Sequence, residues 1–418
     1  MTDLLITNTQ LNGTPVDIAV KDTRIQAITP AGTLSRDTAR DIIDGTDTFV
    51  RPPFYNTHTH HAMTLLRGID DDCALMDWLT RCIWPREARL TQDAVYAGTR
   101  LAILEGIRTG CVAFNDMYFH QPAAIRAAID MGVRAQIGLL YMNQVSDHIE
   151  NEATLEMRPD LPDSIRLALS PHAIYTTTPD ILKDIARKAD NLGLPIHTHI
   201  AETPMENEIA RSQFDSESAV AYLNRCGLLR DGTILAHCCH VSDADLALMA
   251  EHNCLVATCP CSNQKLASGT FPLAKALTAG VRVTVGTDGA ASNNSLSMIS
   301  ETKAAALSGK LNAGRPDAFS LRDLDRGVTE TAAAALGFPN AGRIAESADA
   351  DLILVNLNAP AFATGDTPDA NFIYAADSAA VHTVLCNGHI LMRHGIIPNE
   401  NDILAAAREA ATRLRPTA

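Results

Sequence analysis

Between residues 53 and 340, short runs of aliphatic and β-branched residues alternate with stretches whose apolar positions recur every three or four residues and stop at glycine. One unit shows the pattern. From Thr91, apolar or small side chains fall at Ala94, Ala97, Leu101 and Leu104, the helical spacing ends at Gly110, and Cys111-Val112-Ala113-Phe114 reads as a strand. Comparable strands are predicted at 134–139, 165–169, 196–199, 233–237, 255–258 and 281–285, with one more leading into His58, eight in all. Strands alternating with helices imply parallel pairing through right-handed crossovers, and eight of them predict a closed (β/α)8 TIM barrel. A doubly wound open sheet is the rival architecture, but no Gly-x-Gly-x-x-Gly supports it.

The two ends of the chain follow a different rhythm. Leu4-Leu5-Ile6, 16–20 and 24–28 near the start, and 351–355 and 381–385 near the end, are short alternating runs, the last followed by Asn387-Gly388. Such runs read as β-hairpins. Neither end has enough strands for an independent sheet, so the expectation is one small β-sandwich built from both termini. The predicted organisation is 1–52, first part of the sandwich; 53–340, the barrel; and 341–418, the rest of the sandwich. No internal repeat or low-complexity tract interrupts it.

Composition narrows the classes of function. A chain of 418 residues that is 46% hydrophobic can bury a large core. Its formal charge of -15 argues against nucleic acid and anionic membrane surfaces, and favours a neutral or cationic small molecule as partner. The opening residues Met1-Thr2-Asp3-Leu4-Leu5 have neither the charged n-region nor the apolar h-region of a secretion signal, and no stretch reaches the roughly 20 apolar residues of a membrane span. The expected location is the cytoplasm, with self-association left open. There the 10 cysteines are reduced thiols. Cys238-Cys239 and Cys259-x-Cys261 lack the spacing of a thiolate zinc site.

Candidate chemistry gathers where the predicted strands end, which is where barrels carry their active sites. His58-Thr59-His60 closes the first strand, and side chains at i and i+2 aim at one point. His199 closes the fifth strand, His237 the sixth, and Asp288 follows the eighth. His58, His60, His199 and Asp288 together suit one divalent ion, zinc or iron, with a further position left to water. Such an ion lowers the pKa of bound water toward neutrality, and the chemistry then needs a proton carrier. Glu202, three residues beyond His199, is placed for that task. His197 reads as a packing residue, His237 as either a site residue or a core histidine, and His61, His240 and His252 carry no pattern of their own.

At these residues the chain resembles the amidohydrolase superfamily, in the branch that holds deaminases of S-adenosylhomocysteine and 5'-methylthioadenosine alongside guanine deaminase and chlorotriazine hydrolase. The resemblance runs nearly end to end. It is carried by Asn56-Thr57-His58-Thr59-His60, Ile83-Trp84-Pro85-Arg86-Glu87, Ser170-Pro171-His172, His199-Ile200-Ala201-Glu202-Thr203, Ala236-His237-Cys238 and Gly286-Thr287-Asp288-Gly289. It implies one metal on His58, His60, His199 and Asp288, with Glu202 as proton shuttle. It further implies that His237 orients water and substrate, that Glu87 binds ribose hydroxyls, and that His172 and Trp84 contact the nucleoside. The implied reaction is hydrolytic deamination of adenosine, 5'-methylthioadenosine or S-adenosylhomocysteine to the inosine analogue and ammonia. Its rivals are deamination of guanine or a pyrimidine, a chlorotriazine-type hydrolysis, and a metal-binding barrel without turnover. The chain departs from the pattern at Pro52-Pro53, at Cys261, and at 141–148, which lacks the arginines that some relatives use to grip the homocysteine carboxylate.

Overall fold

The computed structural model of the protein describes residues 2–73, 75–143, 149–364 and 368–415. β1 (Thr2–Leu11), β2 (Thr14–Lys21) and β3 (Arg24–Pro30) form an antiparallel meander. Its first turn is Asn12-Gly13, both at positive φ, the backbone that a two-residue hairpin requires. β4 (Ala39–Asp44) and β5 (Thr48–Arg51) then run parallel to β1. Neither follows from the hairpin pattern, because their pairing is non-local and their apolar runs are short.

The strands that position the site follow. β6 (Phe54–Thr59), β7 (Cys111–Met117), β8 (Arg134–Tyr141) and β9 (Ile165–Pro171) form one four-stranded parallel sheet. β10 (His197–Ile200), β11 (Ile234–His237), β12 (Leu255–Thr258) and β13 (Arg282–Val285) form a second. Nearly every residue in these strands is buried, as expected of parallel sheets covered on both faces. The ladders do not run as one ring. At one seam β9 and the start of β10 meet through a single parallel bridge, Leu169 to Ile196. At the other, Asp288 N–H donates to His58 O at 3.0 Å, and Thr57 Oγ1 and Thr284 Oγ1 share a hydrogen bond of 2.8 Å. Gly286 permits this second approach, because a Cβ there would lie 2.7 Å from His58 Cβ.

The helix Gln92–Arg108 begins where the spacing predicts, with Thr91 Oγ1 accepting the Ala94 N–H as its cap. The chain returns to the terminal sheet through β14 (Leu352–Asn356), β15 (Val381–Cys386) and β16 (His389–Met392). β14 pairs antiparallel with β5, and β15 turns into β16 at Asn387-Gly388, both at positive φ. The termini therefore share one eight-stranded sheet, ordered β16-β15-β14-β5-β1-β2-β3 with β4 on β1. Arg134 on β8 ties it to the parallel strands through Asp349 and Asp351, and Asp351 also accepts from Tyr55 Oη. The last helix, Glu400–Leu414, packs Ala407, Ala410 and Leu414 against Met63, Leu65 and Leu79, so the end of the chain supports the segment after His60. Among the described residues no helix is long and apolar enough to cross a membrane.

Candidate active site

His58, His60, His199 and Asp288, the four side chains that the strand pattern singles out, converge with their ligand atoms within 4.8 Å of one another. Each ring is aimed by a bond to its other nitrogen. His60 Nδ1 donates to Met117 O at 2.6 Å and His199 Nδ1 donates to His172 O at 2.7 Å. A carbonyl can only accept, so Nδ1 carries the proton in each neutral ring, and both Nε2 atoms turn inward, 3.2 Å apart. His58 Nδ1 pairs with His197 Nε2 at 2.8 Å, and its buried Nε2 has no protein partner. Asp288 Oδ1 lies 3.3 Å from His60 Nε2 and 3.5 Å from His58 Nε2. Donors about 2.0–2.1 Å from a tetrahedral ion sit roughly 3.3–3.4 Å apart, so the set fits one divalent metal.

The electrostatics agree. Burial pushes His58 down to about 4, and burial with the neighbouring rings holds His199 well below the ordinary imidazole range. Burial opposes ionisation of Asp288, but His58 and His60 outweigh it and keep the carboxyl well below its usual range. Burial also pulls His60 down, yet Asp288 lifts it to about 8. Asp288 stands at φ 57, and its Oδ2 accepts from Ser262 Oγ at 2.6 Å and Ser292 Oγ at 2.9 Å. Supports of this kind orient metal ligands.

Glu202 and His237 face each other beside the cluster, with Glu202 Oε2 3.8 Å from His237 Nε2. Ser268 Oγ donates to Glu202 Oε1 at 2.8 Å, which leaves Oε2 as the oxygen turned toward His237. His237 Nδ1 donates to Asn263 Oδ1 at 2.8 Å. Burial opposes a charge on His237, but Glu202 and Asp288 raise its pKa above the ordinary value.

A cleft opens above these groups. Trp84, Glu87 and His172 all line it. Glu87 makes no ion pair with its neighbours. Arg86 donates to Cys82 O and Arg89 to the carbonyls of 413–415, while Glu87 Oε1 accepts from Tyr118 Oη at 2.8 Å. Burial raises its pKa despite that bond. His172 Nδ1 pairs with Thr176 Oγ1 at 2.9 Å, and its ring centroid is 4.6 Å from that of His199. Burial pushes His172 down to about 3, so its ring is neutral near pH 7. Leu75, Trp78, Leu79, Phe119 and Met142 supply much of the apolar wall. Of the segment expected to lack carboxylate-gripping arginines, Gln144 to His148 lie outside the described residues.

Several supports escape sequence reading. His197, expected to serve packing alone, holds His58; Asn263, Ser262, Ser268 and Tyr118 hold other site residues. Away from the cluster, His61 lies against Phe114 and His240 donates to Ser268 O. All ten cysteines are free. Cys259 lies near His58 and His237, but burial holds its thiol well above the ordinary range.

Comparison with known proteins places this geometry. Residues 49–391 match the model of the amidohydrolase family. The chain is 39% identical over 412 residues to a 5'-deoxyadenosine deaminase of Methanothermobacter thermautotrophicus, covering 95% of this chain and 94% of the relative. It is 40% identical over 386 residues to a 5-methylthioadenosine/S-adenosylhomocysteine deaminase of Moorella thermoacetica, covering 90% of each. The crystal structure of an adenosine deaminase from Xanthomonas campestris with bound zinc superimposes with a TM-score of 0.93 at 32% identity, over 99% of both chains. The fold is accordingly of the TIM-barrel type with mixed α/β content, and the chain belongs to the amidohydrolase family.

Proposed function

We propose that this protein catalyses the metal-dependent hydrolytic deamination of an adenosine-type nucleoside, releasing ammonia and the inosine analogue. The observation that carries the reading is the pairing of a free Glu202 Oε2 with His237 beside a four-ligand metal cluster, under a cleft with Glu87 on its wall. The deaminase relatives and their coverage support the substrate class.

Held by His58, His60, His199 and Asp288, one divalent ion, zinc in the first instance and iron in the second, supplies Lewis-acid activation of water at neutral pH. The chain's own groups do the rest. Asp288, anionic although buried, is poised to take up the proton that water gives up as it adds to purine C6. Glu202 carries a proton on Oε2 to ring nitrogen N1, the position where charge builds as C6 becomes tetrahedral. His237, fixed by Asn263, orients water and the oxygen developing at C6. Glu87 keeps Oε2 for the ribose hydroxyls while Tyr118 occupies Oε1. His172 and Trp84 bound the nucleoside; Asp288 then passes its proton to the exocyclic amine, the C–N bond breaks with departure of ammonia, and the C6 hydroxyl returns a proton to Glu202 as the carbonyl forms.

The same reading extends to the scaffold and the 5'-substituent. The two four-stranded sheets are taken as halves of one (β/α)8 barrel over 53–340, an assignment supported by the bonds at both seams. Residues 1–52 and 341–418 are taken as the flanking sandwich, supported by a separate apolar cluster of Leu4, Ile6, Ile18, Ile25, Leu352 and Leu354. The described cleft residues include Glu87, Glu202 and Asp288 but no Lys or Arg. A small, uncharged 5'-group such as hydroxyl, hydrogen or methylthio therefore suits it better than a phosphate or a homocysteine carboxylate.

The test joins metal analysis to ammonia release from adenosine, 5'-methylthioadenosine, guanine and cytosine. The reading expects one ion per chain and turnover on the adenosine-type pair. Two tightly held ions, or full activity after chelation, would sink it.

A further inference from the structure

Glu206 is 1% exposed, and no Lys, Arg or His pairs with it among the described residues. Burying a carboxylate without a counter-charge is costly, and burial together with the Glu202 charge pushes Glu206 up to about 7. Its position explains why the cost is borne. It is the third residue of the helix Pro204–Phe214, where a capping-box glutamate would reach only the Thr203 N–H. Glu206 reaches further back. Its Oε2 accepts from Ala201 N–H at 3.0 Å, and Oε1 accepts from Glu202 N–H at 2.8 Å and Thr203 N–H at 3.4 Å.

The turn so gripped is strained. Ala201 stands at φ 51, a left-handed backbone that alanine rarely adopts, and His237 and Cys238 on the neighbouring strand stand at φ 70 and 54. His240 N–H donates to Ala201 O at 2.9 Å, and Asn207, next to Glu206, donates from Nδ2 to His240 O at 2.8 Å. One helical turn therefore holds both strand ends, and the strained backbones present Glu202 and His237 to each other.

We infer that Glu206 is a positioning residue for proton transfer: it anchors the three consecutive N–H groups of 201–203 and so aims the Glu202 carboxylate at the reacting ring. The inference rests on the proposed role of Glu202, and its test separates the two.

Glu206→Gln keeps the volume but replaces one acceptor oxygen with a donor facing backbone N–H. Its kcat on the best adenosine-type nucleoside should fall by about 10- to 100-fold, the scale of a misplaced catalytic group. KM and metal content should stay within about twofold of wild type, since neither substrate nor ion touches Glu206. The same change made on top of Glu202→Gln should cost nothing more, because a shuttle already removed cannot be misaimed. Ala201→Gly, which accepts the left-handed backbone freely, should return part of the activity lost in Glu206→Gln. If Glu206→Gln alone does not accumulate as folded protein, the pair Ala201→Gly and Glu206→Gln is measured with and without Glu202→Gln, with the same expectation. Losses that multiply, a kcat at wild-type level, or a fall explained by lost metal would overturn the inference and leave the role of Glu202 standing. Undiminished turnover in Glu202→Gln would remove that role itself.

Discussion

At the ends of β6, β10 and β11 and just past β13, the candidate site side chains are fixed by directed bonds: His60 by Met117 O, His199 by His172 O, His237 by Asn263, Asp288 by Ser262 and Ser292. The opposite wall of the cleft is held differently. Trp78 and Leu79 pack with Ile83, Leu90 and the last helix, joined by Leu75 and Trp84, and Tyr118 adds a polar anchor by donating to Glu87. Directed bonds set atoms to a fraction of an ångström, whereas packing tolerates swaps that conserve volume. On the proposed function, chemistry belongs to the floor, where change should be punished, and selection of the nucleoside to the roof, where change should be graded.

The sharpest way to break that division is Glu202→Gln. The amide preserves shape and cannot carry a proton, so kcat should drop by about 10²- to 10⁴-fold with metal content unchanged. Near-normal turnover would put the shuttle elsewhere. Asn263→Ala asks whether the floor needs its supports: with Nδ1 of His237 released, kcat should fall by about 10- to 100-fold while KM moves little. A pure KM effect would place His237 with the roof. On the roof itself, Glu87→Ala should lower kcat/KM on adenosine by at least about tenfold, the worth of charged acceptors on the ribose hydroxyls, and leave metal content alone. Equal efficiency of wild type and variant would remove Glu87 from the site.

A fourth contrast concerns stability. Glu301 lies behind the floor, accepting from Cys261 N–H and Asn293 Nδ2, and burial pushes it up to about 7 from an ordinary 4.5. A carboxyl with a raised folded pKa keeps its proton in the native state after the unfolded chain has lost it. Its contribution is present below pH 4.5 and is lost as pH rises toward 7. The stability of wild type minus that of Glu301→Gln, read from denaturant midpoints, should therefore fall across that window. A difference that rises with pH would mean that the native fold favours the ionised form.

The floor is more legible in the sequence than the roof, for a physical reason. His58 and His60 lie two apart at the end of one strand and Glu202 three beyond His199, so local period and strand order are enough to bring them together. Their supports come from distant chain: His197 is 139 residues from His58, Ser268 is 66 from Glu202 and Asn263 is 26 from His237. Common polar residues at such separations carry no local signal. Glu87 shows the converse. Its spacing allows a surface ion pair with Arg86 or Arg89, and only the fold reveals both arginines engaged with backbone carbonyls. β4 and β5 escape for a related reason, since parallel pairing with β1 is decided by neighbours in space.

The most direct test of the account is the relative kcat/KM of wild type across a 5'-series: 5'-deoxyadenosine, 5'-methylthioadenosine, adenosine, S-adenosylhomocysteine and adenosine 5'-phosphate, followed by the adenine-to-hypoxanthine absorbance change. The account predicts rapid deamination of the first three and at least about tenfold lower efficiency on the two bearing a carboxylate or phosphate, because the described cleft residues include carboxylates but no Lys or Arg. Preference for the charged substrates, or no deamination anywhere in the series, would contradict it.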